Sequence, residues 1–249
     1  MHDTLRVIEE TFPRIKENKM DLFHREREPE NRELIWVKPF DNRMDEILRL
    51  KEKSETCPKE MKKVFLSAWG ELASHVKLHQ KVASQIVKSE LPLNVYYNVT
   101  IKTDMASTTI DFLIISDELI VVVLFKTKEH IEWDRYDTRF AKLPEAVETR
   151  ATEEKACVLA DWLALHRVLS TKDMARVVPV LIDEDEDEAS AASHPIERSE
   201  IYEGISKALR VNPDVFGKWL LENCEESEFP VFVGARLTKT IAAIDQAVI

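Results

Sequence analysis

Apolar positions along the chain follow a helical period, switch to strand-like runs near residue 92, and then mix the two. Leu5, Ile8 and Phe12 fall at helical spacing over residues 3–19, broken by Pro13. Residues 24–33 are dense in charge and predict a loop. Residues 34–40, LIWVKPF, predict a short strand or a packing arm. Met44, Ile47, Leu48 and Leu50 give a helix over 42–53. Pro58 is placed to open a long helix. Its broad apolar stripe runs through Val64, Phe65, Ala68, Leu72, His75, Val76, His79, Val82, Ala83, Ile86 and Val87.

The character changes at Leu91-Pro92. Residues 94–103, NVYYNVTIKT, have strand composition, and 104–107 read as a turn. Strands follow at 109–115 and 119–126, joined by Ser116-Asp117-Glu118. The second is apolar without alternation, which predicts burial on both faces. Residues 129–141 show no clean period. Residues 143–169 predict a long helix with Val147, Ala151, Ala156, Leu159, Ala160, Leu163 and Leu165 on its apolar face, and 175–183 predict another buried strand. The order α-β-β-β-α-β makes an α/β sandwich. DEDEDE at 183–188 and the ASAASHP after it predict a solvated loop. The tail predicts helices at 196–210 and 213–223, a short strand at 229–235 and a helical end. The organisation expected is a mostly helical extension over 1–60, a core over 61–185, and an acidic linker with an α/β extension over 186–249.

Composition narrows the function. The chain has 249 residues, 44% hydrophobic and 33% charged, as a globular protein should. Four glycines, with no GxGxxG or GxxxxGK[ST], argue against phosphate-cradling loops. The net charge of −11 disfavours indiscriminate adhesion to nucleic acid but leaves room for a local basic groove. Three cysteines, without a CxxC pair, fit reduced thiols in a cytoplasmic protein. The N-terminus lacks the pattern of a signal peptide, and the longest apolar run is too short to span a bilayer, so no membrane partner is expected.

Two residues stand out chemically. Asp111 is an acid inside an apolar strand, where burial is costly unless something uses it. Lys126 closes the next strand. Three segments around them, VYYNV (95–99), IDFLII (110–115) and LIVVVLFK (119–126), resemble the pattern v-Y-N-V … iD-h-L-i-i … g-i-v-V-i-E-x-K of the nuclease-related domain, NERD, within the PD-(D/E)xK superfamily. The resemblance covers roughly residues 68–185. It implies a restriction-endonuclease-like α-β-β-β-α-β core with helical N- and C-terminal additions. It also implies a Mg²⁺ or Mn²⁺ site: carboxylates hold the ion, the ion activates water, and the lysine offsets phosphate charge.

The acid two residues before the lysine is missing, because Leu124 stands there and leucine cannot ligate a metal. Glu118 is about 20 Å away along the strand and cannot replace it. The resemblance implies an acid on the preceding helix, where alignment places His79 or Gln80. Glu71, whose Gly70-Glu71 resembles the family's Gly-Glu start, is the alternative, about 12 Å along the helix axis and 80° around it from His79. His79, Asp111 and Glu148 are metal ligands by type, with Asp111, Lys126 and Glu71 as the catalytic candidates. His75 and His79 are four apart, but HVKLH lacks the Glu of HExxH, so the pair reads as ordinary helical histidines. Trp133, Arg135, Tyr136, Arg139 and Lys142 fit either a stacking surface for single strands or a docking loop. Three functions follow: a nucleic-acid-associated or protein-interacting module with an impaired nuclease centre, an active Mg²⁺-dependent deoxyribonuclease with a migrated carboxylate, or a structural or regulatory protein without nucleic-acid contact. Protein partners and homo-oligomers stay open.

Overall fold

Six strands form one mixed sheet in which each strand lies beside the next one in sequence. They are β1 (Ile35–Lys38), β2 (Asn94–Lys102), β3 (Ser107–Ile115), β4 (Ile120–Phe125), β5 (Val177–Ile182) and β6 (Leu209–Val211). Among the described residues the α-helices are α1 (Met44–Thr56), α2 (Lys59–Lys88), α3 (Leu143–Leu165), α4 (Phe216–Cys224) and α5 (Gly234–Ala247). This computed structural model describes residues 33–41, 43–103, 106–126, 143–187, 196–200, 202, 204–224 and 230–248, with α3 side chains described from Glu148 onward. All belong to one unit, Arg32–Ile249. The helix expected at 3–19 and the aromatic-basic residues Trp133 to Lys142 lie outside the described residues.

β2, β3 and β4 make an antiparallel meander, and β4, β5 and β6 run parallel. The return from β4 to a parallel β5 needs a crossover, which α3 provides. The expected order α-β-β-β-α-β is therefore present as α2-β2-β3-β4-α3-β5. β4 (IVVVLF) and β5 (VVPVLI) are buried throughout because both faces carry helices. Pro179 is tolerated in β5 because β6 begins pairing only at Val180.

One face packs Ile110, Leu113, Ile115, Ile120 and Val122 against Ala156, Leu159, Ala160 and Leu163 of α3, with Ala243, Ile244 and Ala247 of α5. The other face takes the buried stripe of α2 (Val76, His79, Val82, Ala83 and Ile86). α4 lies beside α2, where a Cβ on Gly217 would meet Gln85 Oε1 at 2.6 Å. Only glycine permits that approach without a shift. Lys81 and Gln85 of α2 also reach Asp214, at 2.6 and 3.0 Å.

The segment 34–40 resolves as strand, parallel to β2. Two expectations in the tail are corrected. The helix at 196–210 is absent: its end is strand β6, and Arg198 bridges Ser206 in the loop before it. The free edge of β5 offers a ladder, and tertiary pairing overrides local helical period. Glu153 of α3 fixes that loop, accepting Ser199 Oγ at 2.6 Å and the Ala208 N–H at 2.9 Å. The strand at 229–235 is also absent. Val231 and Phe232 instead donate their N–H groups to the Asp117 carbonyl, at 2.7 and 2.8 Å, and α5 begins at Gly234. Phe232 is buried in the core rather than paired in a sheet.

Candidate metal centre

The periodicity of α2 places His75 and His79 one turn apart on the face that meets the sheet. His79 is 2% exposed, whereas His75 is open to solvent. The His79 ring stacks on Phe125 of β4, with centroids 4.0 Å apart and planes at 17°. Its edge meets Tyr97 of β2, and its Nδ1 lies 3.1 Å from Tyr97 Oη. Its Nε2 lies 3.1 Å from His75 Nε2.

Asp111 completes the group. Donor atoms of His75, His79 and Asp111 all lie within 4.8 Å of one another. Paired positions of β3 and β4 end at Phe112 with Val123. Beyond that point the Phe125 N–H would lack an acceptor, and Asp111 Oδ2 takes it at 3.1 Å. The acid in an apolar strand is thus used first as a substitute ladder acceptor.

Burial dominates the electrostatics. It drives the His79 pKa down to about 3, helped by His75 and by the Arg43 charge. Burial and Arg43 also lower His75. Burial raises Asp111 to about 6, against the opposing pull of the Phe125 N–H and the Lys155 charge. Burial and the Asp111 carboxylate push Tyr97 up to about 12. Both imidazoles are therefore neutral near pH 7, with a ring nitrogen available as donor or acceptor.

Among the residues predicted from sequence, Asp111 and His79 are brought together and the others are not. Glu71 is exposed on α2, where Ser67 Oγ donates to it at 2.8 Å. Glu148 is buried on α3, the helix across the sheet from α2. Neither belongs to the three-donor group. Leu124 is 6% exposed and pairs with Leu181 in β5.

Lys126 does not pair with Asp111. Phe125 faces α2, so alternation sends Lys126 the other way. Its Nζ lies 3.2 Å from both Asp183 oxygens and 3.2 Å from Asp185 Oδ2. Burial alone would lower its pKa, but the Asp185 and Asp183 carboxylates outweigh this and hold it above the usual lysine value. The reading of 183–188 as solvated loop is corrected at its first residue. The Asp183 side chain is 1% exposed and also binds Arg210 Nη2. Arg210 Nε lies 3.3 Å from Glu186.

Sequence reasoning missed His75 as a member of the group, though its four-residue offset from His79 was the available signal. It missed Tyr97 and Arg210 outright, since neither is close in sequence to its partner. Comparison with family models, with curated proteins and with solved structures yields no match to this chain.

Proposed function

We propose that this chain is a nuclease-related α/β module of the NERD type that binds nucleic acid without efficient phosphodiester cleavage. The observation that carries this reading is the surroundings of Asp111. Its carboxylate is engaged by the Phe125 N–H, Leu124 is buried where a second carboxylate would stand, and Lys126 is held by Asp183 and Asp185. The helix–three-strand–helix–strand order agrees with a core of that kind. A Mg²⁺ ion fits poorly, because it demands near-octahedral oxygen ligands and two of the three donors here are imidazole nitrogens.

Binding is supported by charge placement. α2 carries six lysines against Glu60 and Glu71, in a chain of net charge −11. Lys59, Lys62, Lys63, Lys77 and Lys88 are exposed. A cationic helix on an acidic body concentrates any phosphate contact on one side.

Two measurements test the reading. Plasmid and single-stranded DNA incubated with Mg²⁺ or Mn²⁺ are expected to stay intact. Cleavage abolished by both Asp111→Ala and Lys126→Ala would establish an active nuclease instead. Fluorescence anisotropy with labelled DNA is expected to show binding that weakens with salt, and Lys62→Glu with Lys63→Glu should weaken it further and flatten the salt slope by about two. No binding at low salt would leave a structural or regulatory role.

A further inference from the structure

We propose that His75, His79 and Asp111 form a site for a divalent transition-metal ion of the zinc type. The inference rests on donor geometry and does not depend on the nuclease-related reading.

The two imidazoles approach through the same atom type, Nε2 to Nε2, at 3.1 Å. With metal–nitrogen bonds of about 2.0–2.1 Å, two nitrogens at that spacing subtend roughly 100° at a shared ion. That angle lies between octahedral and tetrahedral values. The third donor, a carboxylate oxygen, lies within 4.8 Å of both. Two imidazoles and a carboxylate suit zinc, iron, cobalt or nickel better than magnesium or calcium.

The surroundings are those of a held ligand set. Metal-bound imidazoles generally give their second ring nitrogen to an oxygen partner, which fixes tautomer and orientation. His79 Nδ1 has that partner in Tyr97 Oη at 3.1 Å. When Nδ1–H donates to Tyr97, Nε2 presents its lone pair toward His75. Stacking on Phe125 fixes the ring plane. The Phe125 N–H fixes Asp111 through Oδ2 and leaves its Oδ1 without a hydrogen bond from a described residue. Two ligands are thus rigid and the third, His75, is exposed, so an ion enters from solvent and keeps a position for water. A cation there also offsets the cost of burying the Asp111 charge, which Lys126 does not do.

The test is titration of the chelator-treated full chain with Zn²⁺ by calorimetry, with Mg²⁺ as control and Co²⁺ absorption as the report on ligand type. One Zn²⁺ per chain is expected, with d–d bands from bound Co²⁺ and no comparable Mg²⁺ binding. His75→Ala and Asp111→Asn should each weaken Zn²⁺ by at least about tenfold, and Tyr97→Phe by about tenfold through the loss of His79 orientation. Far-UV circular dichroism checks folding. Should Asp111→Asn unfold, His75→Ala carries the test, since that side chain is exposed. The proposal is overturned if Zn²⁺ does not bind, if Mg²⁺ binds equally well, or if His75→Ala leaves affinity unchanged.

Discussion

At the scale of single residues, one carboxylate in this chain answers to a backbone and another to two cations. Asp111 accepts the Phe125 N–H where the β3–β4 ladder stops. Asp183 sits between Lys126 and Arg210 with its side chain 1% exposed. Burial would raise the Asp183 pKa. The Arg210 hydrogen bond, the Asp185 backbone N–H and the Lys126 charge outweigh burial and hold it below the ordinary value. A depressed folded-state pKa stabilises the protein above the unfolded value near 3.9, and that contribution fades as pH falls toward the folded value. Asp183→Ala should therefore cost about 3 kcal/mol at neutral pH, because it leaves Lys126 and Arg210 short of a partner. Urea titrations at pH 7, 5, 4 and 3 should show the gap between wild type and variant constant down to pH 5 and shrinking below pH 4. A gap that widens in acid would contradict this account of Asp183.

At the scale of elements, α3 does two jobs, covering one face of the sheet and organising the loop that leads into β6. The second depends on Glu153, which is 3% exposed and accepts from both Ser199 and Ala208. Glu153→Ala should cost about 2 kcal/mol, since two donors are left unmet, while Glu153→Gln should cost less. Hydrogen exchange should rise at Ala208 and through 209–211 in the alanine variant and leave β2 to β4 unchanged. Leu159→Ala, in the core beneath the same helix, should cost about 2–5 kcal/mol and destabilise globally in denaturant titration. The elements legible in sequence were those whose apolar pattern is local. The unbroken apolar runs of β4 and β5 are examples, as are the α2 stripe from Val76 to Ile86 and the α3 face from Ala156 to Leu163. Val64, His75 and Val87 of the expected α2 stripe, and Ala151 and Leu165 of the expected α3 face, are instead exposed. β6 was not legible, because Leu209–Val211 is three residues long and is strand only by virtue of the β5 edge. At the site, Asp111 stood out as an acid among apolar neighbours. The direction of Lys126 did not, because its partners come from the end of β5 and that geometry is tertiary.

At the scale of the molecule, an acidic chain of net charge −11 exposes a lysine-rich surface along α2. No helix among the described residues is long and apolar enough to cross a membrane. The face of the sheet opposite α2 is closed by α5, the last described helix. Trp162 Nε1 donates to the Ala243 carbonyl at 2.7 Å, Tyr96 Oη donates to Asp245 at 3.0 Å, and Val248 bridges Ile101. Deleting residues 234–249 should uncover Tyr96, Ile101 and Leu159 together, giving a loss of cooperative thermal unfolding and increased dye binding to exposed apolar surface.

That placement of α5 has a consequence for biosynthesis. Synthesis proceeds from the N-terminus, so β2 through β5 and α3 emerge well before residues 234–248 do. A nascent chain at that stage can pair its strands, but it carries an uncovered patch of aromatic and branched side chains until α5 clears the ribosome. A stall before α5 emerges would prolong that exposure, making the docking of α5 on the sheet the moment at which this patch is protected from aggregation.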